Sequence, residues 1–269
     1  MDGPPVSGYL AGLAPVPRML PDPWFLLVGW TTVLAVSIGK GAFGGGLAML
    51  GVPLLSFTMA PVEAAITMAA LVAFMDVFAL GAFGRASWSR PDLAWLLPGL
   101  AVGIAIGAAV FALVDPRLVT FLIGTVTLGF SAHYFLRGRL VTGGERPVSR
   151  PLAVFAGAAS GFCTFVAHSG GPPVAMYLLR RGLTKTVFAG TTVAFFTFGN
   201  FLKLPPYLVI GWDRFELFRA ALWLAPAVPV GVLLGKALHD RLPQQRLFFW
   251  CYVILAAASV NLLIGAIRA

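Results

Sequence analysis

The sequence GKGAFGGGLAMLGVPLL, residues 39–55, interrupts one apolar segment of this chain, and GFCTFVAHSGGPPVAMYLL, residues 161–179, interrupts another. Each stretch predicts a helix, a glycine-rich break and a short apolar helix, because helix interiors avoid Gly and Pro. We call residues 44–46 the first break and residues 169–171 the second break. A chain with two such interruptions is expected to carry its function where they meet.

The composition around the breaks is that of a membrane protein. The chain has 269 residues, of which 59% are hydrophobic and only 11% charged, and its mean hydropathy is +0.89. This is under half the charged fraction of an ordinary soluble domain, so the composition argues strongly against a soluble monomer. The 31 Gly and 20 Pro agree, because both residues are commoner in membrane helices than in soluble ones.

Several kinds of chemistry lack the residues they need. Cys163 and Cys251 both lie in apolar stretches, so a disulfide framework and a Cys/His zinc site are not expected. Cys163 and Thr164 could line a cavity, although a small thiol packed in a core is commoner. The formal charge of +9 would suggest nucleic acid in a soluble protein. Here basic residues in cytoplasmic loops explain the charge, and we expect no nucleic acid and no cofactor.

Gaps between charged residues mark the membrane segments, since a spanning helix needs about 20 apolar residues to cross about 30 Å. Asp76 is the one charge inside the stretch from Ala64 to Gly84. The predicted class is therefore an all-α integral membrane protein with ten hydrophobic segments. These segments are residues 24–40, 45–59, 62–83, 93–114, 118–136, 151–167, 172–180, 184–202, 217–237 and 244–267.

The polar stretches divide the chain into two halves. Residues 1–23 contain six prolines and lack the basic start and apolar core of a signal peptide, which predicts an extended lead-in. Residues 138–150 are polar, basic and rich in Gly, which predicts a linker. We therefore expect a first membrane repeat over residues 24–137 and a second over residues 151–269.

Sequence similarity between the halves supports a duplication. PGLAVGIAIG, residues 98–107, and PAVPVGVLLG, residues 226–235, share Pro, Gly and Gly at the same spacing. Five segments per half is an odd number, so the two repeats are expected to insert in opposite orientations, as in many secondary transporters.

The basic residues indicate the orientation independently, because cytoplasmic loops accumulate Lys and Arg. With the linker inside, 13 Lys and Arg are cytoplasmic and 6 are outside. Both termini then lie outside. The outer group comprises Arg18, Arg117, Lys203, Arg214, Arg219 and Arg268.

The two breaks resemble a known family. Gly39, Gly41 and residues 44–46 followed by Pro53 pair with Gly161, residues 169–171 and Pro173, in a chain of this length and hydrophobicity. This pattern resembles the sulfite exporter TauE/SafE family of bacterial membrane transporters over residues 24–267. The resemblance implies movement of sulfite, sulfonates or related organic anions across the bacterial cytoplasmic (inner) membrane, by a multi-pass transporter that is not an enzyme.

The chemistry of the breaks agrees with an anion. Irregular backbone inside a membrane is tolerated where it lines a cavity or is buried in protein. A helix that follows such a break presents unpaired N–H groups and the positive end of its dipole, which receive sulfate, phosphate or carboxylate groups. The alternative is that the glycines only allow close helix packing.

Three ionisable side chains adjoin the breaks or lie inside a span. Lys40 precedes the first break and is either a buried functional lysine or one that reaches back to the interface. His168 adjoins the second break, where it could donate to an anion or carry a proton, or serve as a structural histidine. Asp76 is the only acid well inside a span, and such an acid pairs with a base or relays protons. We assign Asp76 to coupling or gating.

Polar residues of the eighth segment are the next candidates. Thr192 and Asn200 are eight residues apart on roughly one helix face and, with Thr191, could bind an oxyanion or bond a neighbouring helix. Lys203 precedes two prolines and is assigned to interfacial anchoring. Glu63, beside a proline, is taken as an ordinary interfacial residue.

These residues predict a secondary transporter of a small anion, with protons or sodium ions as candidate coupling ions. Because only Lys40 lies at a break, we expect backbone amides, rather than mainly Lys or Arg, to hold the anion. An anion channel built from the same parts is the alternative. An enzyme is not expected, since paired intramembrane acids and the HExxH and GxSxG motifs are absent from the sequence. The predicted substrate-binding set is Gly44, Gly45, Gly46, Ser169, Gly170, Gly171, Lys40, His168, Thr191, Thr192 and Asn200.

Overall fold

A computed structural model describes residues 22–45, 47–113, 115–137, 147–211, 214–239, 241 and 244–268. Of these residues 86% are helical, and the described ranges contain no strand. The predicted lead-in lies outside them except for Asp22 and Pro23, and so does most of the predicted linker. Gly46 of the first break is also outside the described residues. The predicted all-helical class is confirmed.

Proline and capping residues start many of the helices. Pro23 and Pro61 occupy the first turns of their helices, where a missing N–H costs nothing. Asp22 caps the first helix by accepting the N–H of Trp24 at 3.2 Å. A 3₁₀ turn at Ala48–Leu50 precedes α2, and another at Arg85–Ser87 precedes α4. The helices are α1 (Pro23–Phe43), α2 (Gly51–Leu55), α3 (Pro61–Ala82), α4 (Arg90–Leu113), α5 (Pro116–Arg137), α6 (Arg150–Ala167), α7 (Gly171–Leu179), α8 (Lys185–Ile210), α9 (Phe215–Leu224), α10 (Ala227–Leu238) and α11 (Gln244–Arg268).

Six helices of the described chain are long and apolar enough to cross a membrane, and a seventh span results if α9 and α10, bent by 46°, count as one. The six are α1, α3, α4, α5, α6 and α8. Helices α2 and α7 have 5 and 9 residues and are too short to cross about 30 Å at 1.5 Å per residue. The chain is therefore a multi-pass membrane protein. The count of ten segments and the inversion stay predictions.

One predicted segment boundary is wrong. The eighth segment was expected to end at Leu202, before a charge and two prolines, but α8 continues to Ile210 with Pro205 and Pro206 inside it. The charge of Lys203 does not end the helix, because its side chain is fully buried in the protein rather than placed in water.

Helices from the two halves pack against each other in pairs. The principal pairs are α4 with α6, α1 with α10, α5 with α11, and α3 with α8. Two family-motif glycines serve this packing, as the alternative interpretation held. A Cβ on Gly41 would lie 2.1 Å from the carbonyl oxygen of Val232, and one on Gly161 would lie 2.3 Å from that of Leu100. The halves are thus interleaved, which brings the two breaks into one core.

Candidate functional site

The first break ends α1 with two glycines in unusual backbone conformations. Gly44 has φ of +78°, donates its N–H to the carbonyl of Lys40 at 2.9 Å, and packs directly against the carbonyl of Ala189 on α8. Gly45 has φ of +143°. Both conformations favour glycine, since side chains clash there. The chain then turns through Leu47 into the 3₁₀ turn and α2.

A histidine in the left-handed conformation ends α6 immediately before the second break. His168 has φ of +51°, and its amide bonds the carbonyl of Thr164 at 3.2 Å. For a non-glycine residue this costs about 1–2 kcal/mol. Side-chain contacts hold it: Nε2 lies 3.1 Å from the carbonyl oxygen of Ala65, and Nδ1 lies 2.9 Å from Nζ of Lys203. The carbonyl accepts only, so Nε2 carries the hydrogen and Nδ1 accepts.

A small cavity lies between the two breaks. Its volume is about 20 Å³, measured as the space open to the centre of a water-sized group. Its walls come from α1, both break regions, α6, α7 and α8. The lining residues are Val36, Lys40, Gly45, Ala48, Thr164, His168, Gly171, Phe196, Asn200 and Lys203.

Lys40 and Asp76 form a buried ion pair on the α1 and α3 side of the cavity. The distance from Nζ to Oδ1 is 2.7 Å, and Nζ also donates to the carbonyl of Val72 at 3.1 Å. Asp76 additionally accepts from Thr197 Oγ1 at 3.1 Å and from Asn200 Nδ2 at 2.6 Å. The aspartate is therefore surrounded by donors and neutralises Lys40. The alternative that Lys40 reaches the membrane interface is wrong.

Lys203 is the other cation of the cavity, and its surroundings differ. Its side chain is fully buried, and it contacts His168 Nδ1 at 2.9 Å, the Thr164 carbonyl at 3.3 Å and Thr164 Oγ1 at 3.5 Å. No carboxylate of the described residues lies within 4.0 Å of its Nζ. Its assignment to interfacial anchoring is wrong. With Lys203 protonated, the cavity has one net positive charge, which suits an anion.

The structure brings part of the predicted set together at this cavity. The predicted residues that line it are Lys40, Gly45, His168, Gly171 and Asn200. The premise that only Lys40 among the basic residues lies near a break is wrong, because Lys203 contacts His168. Sequence reasoning missed Lys203 because its charge and the two following prolines look like a helix end.

Other predicted residues have different partners. Ser169 donates to the carbonyl of Ala167 at 3.0 Å, and a Cβ on Gly170 would lie 2.6 Å from the carbonyl oxygen of Ser160. Gly44 contacts α8, as described above. The side chain of Thr191 accepts the N–H of Ser89 at 2.8 Å, and Thr192 donates to the carbonyl of Phe188 at 2.8 Å.

A buried acid that sequence reasoning did not single out joins α4 to α7. Asp92 accepts from Arg181 Nε at 2.8 Å, from Tyr177 OH at 2.7 Å and from Ser89 Oγ at 2.5 Å. We call these four residues the α7 latch. Asp92 stands next to Pro91 at a predicted segment end, so nothing in the sequence separated it from an ordinary interfacial acid.

A third ion pair joins the first turn of α3 to the start of α9. Glu63 Oε1 lies 2.5 Å from Arg214 Nη1, and Glu63 also accepts the N–H of Ala60 at 3.2 Å. We call Glu63 and Arg214 the α9 latch. The interpretation of Glu63 as an ordinary interfacial residue missed this pairing. Both latches connect a residue before the linker to a residue after it.

The chain was compared with known families, proteins and structures. The model of the family described as sulfite exporter TauE/SafE matches residues 30–262. No curated protein and no solved structure matches the chain. The matched range contains both breaks, the cavity and both latches. The chain therefore belongs to the sulfite exporter TauE/SafE family, a family of membrane transporters of sulfur-containing anions.

Proposed function

We propose that this protein is a secondary transporter that binds sulfite, a sulfonate or a related small anion in the cavity between the breaks, with Lys203 as its principal positive partner. One observation carries the proposal: Lys203 is fully buried at the cavity, and no described carboxylate pairs with it. An ammonium group inside a membrane protein needs a compensating charge, and an anionic substrate would supply it.

Backbone amides are proposed as secondary contacts. Gly45 and Gly171 line the cavity, and Gly171 opens α7. Pro172 and Pro173 have no N–H, so the start of α7 offers fewer amide donors than an ordinary helix. This shortage supports an anion bound mainly by Lys203, with amides fixing its orientation. The expectation of a cradle made chiefly of amides is thereby revised.

Contacts repeated at a constant spacing support inverted repeats. Gly44 and His168 end α1 and α6, and 124 positions separate them, the same spacing as between Asp76 and Asn200, which bond each other. Gly44 meets the carbonyl of Ala189, and His168 meets that of Ala65, again 124 positions away. Such reciprocal contacts are expected of two halves related by an approximate two-fold axis. Rocking of such halves around a central site is the usual route to alternating access.

The two latches support a carrier over a channel. Glu63 of the α9 latch lies in the first turn of α3. Asp92 of the α7 latch lies in the first turn of α4, which follows the end of α3, so the two latches are at opposite ends of α3. A carrier requires that each end can close while the other opens, whereas a channel requires a path open at both ends. We propose that the α7 latch and the α9 latch close the cavity toward the two faces of the membrane.

We propose further that the protein lies in the bacterial cytoplasmic membrane with the linker on the cytoplasmic side. Without Lys40 and Lys203, which are buried in the protein, 12 basic residues lie on the side of the linker and 5 on the other side, and this asymmetry supports the orientation. Ser149 is exposed just before α6, so a cysteine placed there can report on which side of the membrane the linker lies. A Ser149→Cys variant lacking Cys163 and Cys251 should resist an impermeant thiol reagent in intact cells and react in inside-out vesicles. Labelling in intact cells would contradict the orientation.

Binding and exchange measurements test the proposed function. Purified protein is titrated with sulfite, sulfate, thiosulfate, methanesulfonate and acetate, and exchange of the bound anion is measured in proteoliposomes. Lys203→Gln should weaken binding by about 30-fold or more, because truncating one partner of a buried charge pair costs about 2–5 kcal/mol. Lys236→Gln, at an exposed lysine of α10, is the matched control and should bind normally.

A carrier shows faster efflux when the same anion is present on the opposite side, and a channel does not. Failure of the unmodified protein to bind any of the five anions would contradict the proposed function. Normal binding by Lys203→Gln would remove Lys203 from the site.

A further inference from the structure

We infer that Lys203 is the proton-coupling group of this transporter: its side-chain amine takes up one proton as the anion binds and gives it up as the anion leaves. The inference rests on the proposed function and goes beyond it by naming the coupling ion and its site. The sequence alone pointed to Asp76 for this role.

The neutral character of the partners of Lys203 is the first step of the argument. Its Nζ meets only a histidine acceptor and two oxygens of Thr164 within bonding distance, among the described residues. Both Thr164 distances, 3.3 and 3.5 Å, are long for hydrogen bonds to an ammonium group. These contacts can hold a neutral amine, and an incoming anion can replace them.

The charged groups around Lys203 compensate each other rather than Lys203. Lys40 on α1 and Asp76 on α3 are the charged groups that act on it, and they form the 2.7 Å ion pair with each other. His168 of α6 turns an unprotonated nitrogen toward it. Asp92 of α4 and Tyr177 of α7 bond each other in the α7 latch and do not line the cavity. An empty cavity therefore offers an ammonium at Lys203 no counter-charge.

Energetics then links the proton to the anion. A buried cation with no partner costs several kcal/mol, and a lysine avoids that cost by staying neutral. An anion beside Nζ removes the cost, so protonation and anion binding favour each other by thermodynamic linkage. The balance is simple: the amine gains H⁺ to become an ammonium, and a monovalent anion enters with it. Release reverses both steps, so the empty site returns uncharged.

Asp76 is poorly placed for the same task. Its two oxygens accept from Lys40, Thr197 and Asn200. A proton on this carboxyl would remove its charge and leave Lys40 buried without its counter-ion. The geometry thus gives Asp76 the part of a fixed counter-ion and Lys203 the part of the titrating group.

Calorimetry distinguishes these roles. Binding of sulfite to the purified protein is measured in buffers of different ionisation enthalpy, which reports the protons taken up per anion. Methanesulfonate, which stays ionised throughout, is the second probe and removes any contribution from the titration of sulfite. Three proteins are compared: the unmodified chain, Lys203→Arg, which keeps a cation that cannot deprotonate, and Asp76→Asn.

The expected result is an uptake approaching one proton per anion at alkaline pH for the unmodified chain. Asp76→Asn should take up at least as much, because Lys40 then also lacks a counter-charge. Affinity should then fall about tenfold for each pH unit in that range. Lys203→Arg should bind without this uptake and without the pH dependence. Should Lys203→Arg not fold, His168→Gln takes its place: uptake that persists in His168→Gln and in Asp76→Asn supports Lys203, and uptake that disappears in His168→Gln overturns the inference.

Binding by the unmodified chain with no proton uptake would overturn this inference and leave the proposed function standing. Uptake that disappears in Asp76→Asn would move the proton to that residue and also overturn it. Uptake that persists in Lys203→Arg has the same consequence. Absence of binding of either anion by the unmodified chain would overturn the proposed function and the inference together.

Discussion

The two breaks have the same backbone plan and opposite electrostatic character. Each ends a helix with a left-handed residue, Gly44 or His168, and each is followed by a helix too short to span a membrane. Beside the first break, Lys40 is neutralised by Asp76. Beside the second break, Lys203 contacts only neutral groups among the described residues.

This difference separates two uses of a buried lysine. A lysine that is paired with a buried aspartate is a fixed part of the structure, here between α1 and α3, and removing either partner leaves the other charge buried and unpaired. A lysine with neutral partners is stable as a buried cation only when an anion binds beside it. The similar backbone of the two break regions therefore encloses the cavity, and the different partners of the two lysines set its charge.

The largest expected effect tests this difference through stability. Lys40→Met should lower the free energy of unfolding by about 3–5 kcal/mol, because it leaves Asp76 charged and buried. Lys203→Met leaves no carboxylate without its partner, so its free energy of unfolding should be within about 1 kcal/mol of that of the unmodified chain, or higher. Unfolding is followed during SDS titration in mixed micelles.

The double variant Lys40→Met with Asp76→Leu is the control, since removing both partners should restore most of the lost stability. Equal destabilisation by Lys40→Met and Lys203→Met would break the distinction between the two lysines.

A second test makes the first break resemble the second. Asp76→Asn removes the counter-charge of Lys40 while keeping the shape of the side chain, so a bound anion then faces two lysines that no carboxylate neutralises. Anion affinity should rise by about 30-fold, since a unit charge a few Å away contributes about 2 kcal/mol or more at an effective dielectric constant of 20. Release, measured as the efflux rate from proteoliposomes, should slow correspondingly. Weaker binding by this variant would mean that Asp76 contributes to the site in another way.

Weakening each latch in turn tests whether the two latches control access to the cavity from opposite faces of the membrane. Arg181→Gln weakens the α7 latch and Arg214→Gln weakens the α9 latch, and each should expose the cavity toward one face. We expect a roughly tenfold faster reaction of a cysteine at Ala48 with an impermeant maleimide, because a hydrogen bond to a charged group contributes about 1.5–3 kcal/mol. The measurement uses vesicles of known orientation and chains lacking the two native cysteines.

Arg219→Gln is the matched control for the latches. Arg219 pairs with Glu216 at 3.4 Å on the surface of α9, with about half of each side chain exposed, and such pairs contribute about 0–1 kcal/mol. The two latch variants should accelerate labelling from opposite faces. Acceleration from the same face by both would contradict their placement at opposite ends of the cavity.

The smallest expected effect separates a threonine that lines the cavity, Thr164 of α6, from one that does not, Thr191 of α8. Thr191→Val should change anion affinity by less than about twofold, although losing its bond to the N–H of Ser89 should cost about 1 kcal/mol of stability. Thr164→Val should weaken binding by about threefold, because it removes a weak contact to Lys203. Both affinities are measured by calorimetry with sulfite. A tenfold loss in Thr191→Val would return that residue to the site.

Substitutions at the break glycines are poor tests of anion binding, for reasons only the structure supplies. Gly45 has φ of +143°, so any side chain there strains the backbone before it reaches the cavity. A Cβ at Gly170 would meet Ser160 and Thr164 inside the protein rather than the anion. Loss of function in either variant would report on packing and backbone strain as much as on binding.

The sequence by itself determined the class of protein and the region of the site. The low charge and long apolar segments require helices in a bilayer, because backbone polar groups there must be satisfied within each segment. Runs of Gly and Pro show where those helices must break, since these residues cannot continue a regular helix at low cost. Family membership followed from the same residues, and Lys40, His168 and Asp76 were recognised as unusual because they lie in or beside apolar segments.

Only the tertiary structure decided what each charge does, because a sequence shows which residues are charged but not which groups they meet. Lys40 and Asp76 are 36 positions apart, and nothing local indicates that they pair. In the sequence, Lys203 looked like the last residue of a helix. In the structure α8 continues past it, and α6 packs against α8 so that the side chain of Lys203 is fully buried. The cost or benefit of a buried charge depends on neighbours that the fold supplies from distant segments, and here those neighbours make one lysine half of an ion pair and the other the proposed partner of an anion.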